Sequence, residues 1–109
     1  LVVLAGKPPP FGVTMKTISQ RVQAGIRFLD TMYGKKWRRK IDLARLDLNN
    51  PLSCVLGQTG GFYWDHRNKL NLNDEKAEAL GFDLGYYGDY DLLTSAWKKA
   101  LKDKVGRNA

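Results

Sequence analysis

The sequence predicts a mainly α fold, a small orthogonal helical bundle of about four helices with room for a short β-hairpin. Three observations carry that prediction. Apolar residues recur at three- and four-residue steps in two long stretches, residues 17–34 and 89–105. Cap signals bracket the candidate helices, with Thr17, Asn50 and Asn73 before them and Gly34, Gly57 and Gly81 after them. Only the run "KIDLARLDL" reads as a short strand or extended segment, anchored by Ile41, Leu43, Leu46 and Leu48.

In chain order, residues 1–14 read as an extended or disordered lead-in, stiffened by Pro8, Pro9 and Pro10. Leu1 stands where a methionine would, which suggests a fragment or a non-ATG start, and Met15 opens a far more regular sequence. A single globular domain is therefore expected over 15–109. The opening apolar run is too short for a secretory signal and has no basic segment before it.

The first helix is "TISQRVQAGIRFLDTMYG", whose stripe runs through Ile18, Val22, Gly25, Ile26, Leu29, Met32 and Tyr33. Thr17 with Gln20 reads as a capping box, and Gly34 is placed to end the helix in a left-handed conformation. A second, short helix is expected at "NNPLSCVLGQ", with Asn50 as cap, Pro51 at its first position and Gly57 as terminator. A third is "NDEKAEALGF", capped by Asn73 and closed by Gly81 and Phe82 in a Schellman ending. The last, "DYDLLTSAWKKALKDKV", repeats Leu93, Trp97, Leu101 and Val105 every fourth residue. Two Gly- and aromatic-rich loops, residues 59–68 and 81–90, complete the chain.

Composition narrows the class. Hydrophobic residues at 43% and charged residues at 27% suit a globular domain, and 109 residues can bury a real core. Apolar stretches are too short to span a membrane. Cys54 is the only cysteine, so there is no internal disulfide and no multi-cysteine metal site, and a reducing cytoplasmic compartment fits best. The net charge of +7 is unevenly spread: residues 16–45 hold nine basic and two acidic side chains, residues 74–91 six acids and one lysine, and residues 92–109 five basic side chains and one acid.

Enzyme readings lack partners. His66 is the sole histidine, and a Cys54–His66 nucleophile pair depends on the fold bringing them together; an inert core cysteine is the stronger reading. "WDHR" could hold a general base, but no second positioned group accompanies it. "GQTGG" lacks the Lys-Ser/Thr pair of a P-loop. Asp83, Asp89 and Asp91 do not match EF-hand spacing, and helix capping by Asp89 or Asp91 is the better explanation. No metal, cofactor or catalytic residue is expected.

The basic run "KKWRRK" is different. Arg38 and Arg39 are of the type that grips phosphate oxygens bidentately, Lys35, Lys36 and Lys40 add charge, and Trp37 could stack on a base. The alternative is a solvated loop with Trp37 turned into the core and the lysines near the dipole of helix 1. Tyr86, Tyr87 and Tyr90, set among Gly85 and Gly88, resemble an adaptable recognition surface; equally, one or two of the rings could cover the last helix.

The order "RVQAGIRFLD", Trp37, "IDLARLDL", "CVLGQ", "YWD", "ALGF" and "YDLLTSAW" resembles a group of small, largely uncharacterised accessory proteins encoded by bacteriophages of actinobacteria, over residues 17–101. The resemblance implies a phage origin and a role inside the infected host cell, without naming an activity or a functional residue. Residues 1–14 lie outside the shared pattern. The basic block exceeds it, so a function shared with those relatives need not depend on that block.

Small accessory phage proteins commonly work by binding. The expectation is a non-enzymatic binder of a phosphate-bearing ligand, either nucleic acid or a small nucleotide such as an immune signal, acting in host takeover or counter-defence. Arg27, Arg38, Arg39 and Arg45 with the exposed aromatics favour an anionic ligand, and their convergence would call for a homo-oligomer interface. The alternative is a protein-protein inhibitor of a host enzyme acting through the Tyr/Gly-rich loop; a virion role comes third.

Overall fold

Thr17 begins the first helix as the sequence predicts: its hydroxyl accepts from the Gln20 N–H at 3.1 Å, and the Gln20 side-chain oxygen accepts from the Thr17 N–H at 2.9 Å. The computed structural model describes residues 16–106; the lead-in at 1–14 and the side chain of Val105 lie outside the described residues. Among the described residues the fold is mainly helical. It comprises α1 (Ile18–Tyr33), a 3₁₀ helix (Lys35–Lys40), α2 (Val55–Gly60), α3 (Tyr63–Lys69), α4 (Asp74–Ala79) and α5 (Tyr90–Gly106).

Helix α1 buries Val22, Gly25, Ile26 and Leu29 against α5 and α4. Gly25 is a packing residue: a Cβ there would lie 2.1 Å from the Leu80 carbonyl oxygen and 3.0 Å from the Trp97 ring. Met32 and Tyr33, at the end of the predicted stripe, are exposed instead. Gly34 stops the helix at φ 73°, with ψ extended at 169° rather than left-handed helical, a conformation that favours glycine.

The expected strand does not form, and no strand is present among the described residues. Leu43 to Leu46 is a step of three, which breaks the alternation, and turns close at that point through Arg45 N–H to Asp42 O and Leu46 N–H to Leu43 O. The Asp42 and Asp47 side chains accept from the N–H groups two residues on, diverting backbone donors from any ladder. Leu46 and Leu48 still reach the core, and the Leu48 N–H is held by the Thr94 hydroxyl of α5 at 2.9 Å.

The second helix starts later than expected. Asn50 caps a turn through residues 51–53, and Cys54 is the N-cap of α2, its Sγ accepting from the Gly57 N–H at 3.3 Å. Gly57 lies inside α2, not beyond it. A Cβ at Gly57 would come within 2.4 Å of the Pro51 carbonyl oxygen, so this glycine serves close approach.

The segment read as a loop at 59–68 contains all of α3 but its last residue, Lys69. Its buried positions are Tyr63, His66 and Arg67, which share helical spacing while two of the three are polar, so hydropathy hides the stripe. Helix α4 is capped by Asn73, and its end is the expected Schellman motif: Phe82 N–H donates to Ala77 O and Gly81 N–H to Glu78 O. Asp89 caps α5 through the Leu92 N–H. Leu93, Trp97 and Leu101 are buried, Phe82 stacks on Trp97 with ring centroids 5.8 Å apart, and the Trp97 indole donates to Gly81 O at 2.6 Å.

Candidate functional site

The 3₁₀ helix splits the basic run. Trp37 is only 3% exposed, and its indole N–H donates to Asp30 Oδ1 at 2.9 Å. Arg38 is spent on the other oxygen of the same carboxylate, Nη2 to Oδ2 at 2.6 Å. This corrects two expectations: Trp37 is a core anchor and offers no face to a base, and Arg38 is held in an ion pair with α1. The reason is local: Asp30 lies on the last turn of α1, and its two carboxylate oxygens accept separately from the indole and from the guanidinium.

The arginines and tyrosines do not converge. Arg27 is exposed on α1, Lys35 and Arg39 point to solvent, and Arg45 lies in a shallow depression with Asp47, Asp91 and Lys98. Tyr86 and Tyr90 line a separate cleft, and Tyr87 stands fully in solvent.

What does converge is a basic pocket of about 370 Å³. Lys36 and Lys40 enter it from the 3₁₀ helix, Lys69 from the end of α3, Tyr33 from the end of α1, and Thr59 from α2. Three residues per turn stack Lys40 over Trp37, so burying the indole aims the lysine at the same side. Among the described residues, none of the three lysines has an ion-pair partner.

The floor of the pocket is His66, 2% exposed. Its Nδ1 lies 2.9 Å from the Leu56 carbonyl oxygen, which can only accept, so Nδ1 carries the proton. In the neutral imidazole Nε2 is then the acceptor, and the Tyr33 hydroxyl, 2.6 Å away, donates to it. Tyr33 itself is 47% exposed and joins this buried base to the open pocket. Gly60 is required for the arrangement: a Cβ there would lie 2.4 to 2.6 Å from the imidazole atoms.

Sequence reasoning found Lys36 and Lys40 but not Tyr33, Thr59, His66 or Lys69 as members of this site. Tyr33 and His66 are 33 positions apart, and nothing in their order pairs them; the sequence offers His66 as a general base without a second positioned group or as a partner for Cys54. The Cys54–His66 pair does not form, because both imidazole nitrogens are taken; burial pushes the Cys54 thiol up from its ordinary range.

A second concavity of about 610 Å³ carries the opposite charge. Asp74, Glu78 and Asp83 line it with Tyr63, Trp64 and Tyr86. Beside it the buried Arg67 guanidinium pairs with Asp74, approaches Asp83 at 3.9 Å, and packs 5.1 Å from the Trp64 ring and 5.9 Å from the Tyr63 ring. Tyr63 donates to Asp83 Oδ2 at 3.1 Å and Tyr90 to Oδ1 at 2.5 Å. Burial works to raise the Asp83 carboxyl, but hydrogen bonds from Tyr90 and the Gly85 N–H outweigh it and hold the group below the usual carboxylate range. Burial, reinforced by the Asp83 charge, pushes the Tyr63 phenol well up.

Among the described residues, no three His, Cys, Asp or Glu side chains are grouped to hold a metal ion, and no helix is long and apolar enough to cross a membrane. Comparison with protein-family models, curated proteins and solved structures finds no match.

Proposed function

We propose that this protein is a non-enzymatic binder of a phosphate-bearing ligand, and that the ligand sits in the pocket floored by His66. The observation that carries this reading is the convergence of Lys36, Lys40 and Lys69, from two elements, on one concavity without carboxylates in its lining. The half-exposed Tyr33 hydroxyl accompanies them. The resemblance to accessory phage proteins supports placing such binding in host takeover or counter-defence, in the cytoplasm of an infected cell. Either a nucleic acid or a small nucleotide meets the charge requirement.

Two measurements test it. A ligand that binds only the native state raises the melting temperature as RT ln(1 + [L]/Kd), so one member of a nucleotide panel is expected to stabilise the protein. Binding of an oligonucleotide is expected to weaken steeply with added salt. A flat nucleotide panel together with no salt-sensitive oligonucleotide binding rejects the reading.

The second reading, a protein-protein inhibitor of a host enzyme, is favoured by Tyr86 and Tyr87, which are 96% and 99% exposed beside the acidic cleft. Carboxylates and aromatic rings suit a partner's basic side chain. Capture of a single host protein that survives nuclease, and is lost when both tyrosines become serine, distinguishes it.

A further inference from the structure

The Tyr33–His66 pair has a consequence that simple charge attraction does not require. The Tyr33 hydroxyl has one proton, and with the pocket empty it is given to His66 Nε2. A phosphate oxygen entering among Lys36, Lys40 and Lys69 competes for that proton. If Tyr33 turns it toward the ligand, Nε2 is left a buried acceptor with no donor, which is costly. Uptake of one proton at Nε2 removes the problem: Nε2–H then donates to the Tyr33 oxygen, and the Tyr33 hydroxyl donates to the ligand. The Nδ1–H bond to Leu56 O is unchanged throughout.

Charge decides when this happens. The ionisable groups facing His66 across the pocket are Tyr33 from α1, Lys36 and Lys40 from the 3₁₀ helix, and Lys69 from its own helix, and no carboxylate lines the pocket. Three ammonium groups oppose a fourth cation in the empty site. A dianion reverses that balance, whereas a monoanionic diester offsets it only in part. The volume of about 370 Å³ is near the lower end for small-ligand pockets, which suits an end group and not a strand running through.

We infer that the pocket selects the dianionic end of a phosphomonoester and that Tyr33 and His66 form a proton relay that takes up one proton as the ligand binds. The inference rests on the phosphate-binding reading. The shared chemistry is a terminal phosphate, carried by a free nucleotide or by the 5′ end of a strand.

Calorimetric titration of the full chain tests it with sulfate, a dianion whose own charge does not change over roughly pH 6 to 8, the range in which imidazole titrates. Titrations in buffers of different ionisation enthalpy are expected to show close to one proton taken up per sulfate. Affinity is expected to rise as pH falls, approaching about tenfold per pH unit where uptake is complete. His66→Gln is expected to bind sulfate without the pH slope. Tyr33→Phe, at a half-exposed position, keeps the inference falsifiable should the histidine variant not fold, and is expected to lose the proton uptake while retaining weakened binding.

A wild-type sulfate affinity flat in pH, or a dinucleotide with only a diester linkage binding as tightly as a mononucleotide, overturns the inference while leaving phosphate binding intact. Failure of sulfate, inorganic phosphate, nucleotides and oligonucleotides all to bind overturns both. Comparing a mononucleotide with a 5′-phosphorylated oligonucleotide and its dephosphorylated form separates the sources. Preference for the phosphorylated strand over both supports the strand end, and equal affinity for mononucleotide and phosphorylated strand supports the free nucleotide. Undiminished binding of the dephosphorylated strand overturns selection for a terminal phosphate.

Discussion

The basic pocket and the acidic cleft are both concave and rich in polar groups, but they balance their charges in different ways. In the cleft, Asp83 receives hydrogen bonds from Tyr63, Tyr90 and the Gly85 N–H and faces the Arg67 guanidinium, so its charge is answered from within the fold. In the pocket, Lys36, Lys40 and Lys69 have no such answer among the described residues. A buried network of hydrogen bonds and ion pairs holds structure together, whereas converging unpaired charges leave free energy to be gained from a ligand. That contrast separates a cleft whose central carboxylate is answered within the fold from a pocket whose lysines are not.

Removing the central acid of the cleft gives the largest expected effect. Asp83→Ala leaves Tyr63 and Tyr90 without their shared acceptor and removes a carboxylate facing the buried Arg67 guanidinium, and is expected to cost about 3 kcal/mol by urea denaturation, in the range for breaking a buried ion pair. The pH dependence has a definite sign. Because the folded carboxyl is held below its ordinary value of about 3.9, its stabilisation is present above that pH and is lost as pH falls through the lower folded value. The acid limb of wild-type stability is expected to be shallower in Asp83→Asn.

Gly60→Ala attacks the floor of the pocket. A methyl 2.4 Å from the imidazole must displace it, at an expected cost of about 1–3 kcal/mol and with loss of the Tyr33–His66 bond. Reversing the lysines tests the other half of the comparison. Lys36→Glu, Lys40→Glu and Lys69→Glu are each expected to weaken a phosphate-bearing ligand about tenfold, roughly 1.4 kcal/mol. Each should change unfolding free energy by less than about 0.5 kcal/mol, because among the described residues the side chains have no ion-pair partner. The smallest effect is expected for Tyr87→Ser, within about 0.5 kcal/mol in stability, since the ring is 99% exposed; a larger loss would show that the loop supports the cleft.

Local signals in the sequence were legible where one short stretch decides its own conformation. The Thr17–Gln20 box, the Asn73 cap and the Gly81–Phe82 ending depend on side chains within a few residues of the backbone groups they satisfy. Misreadings arose where two explanations share one pattern. Gly57 as terminator and Gly57 as close-approach residue look the same until Pro51 is seen against it. Helix α3 was hidden because its buried stripe uses His66 and Arg67, whose burial is made tolerable by Leu56, Tyr33, Asp74 and Leu72 from elsewhere in the chain.

By itself, the sequence determined the helical class, the caps, the core anchors from Val22 to Leu101, and a strongly basic stretch beside an acidic one, because periodicity, capping and charge are properties of neighbouring residues. Only the tertiary structure decided which charges remain unspent. It withdrew Trp37 and Arg38 by pairing them with Asp30, and it brought Lys69, Tyr33 and His66 to Lys36 and Lys40. The physical reason is that an ion pair or hydrogen bond depends on distance in space, and residues 33 positions apart carry no mark of it in their order.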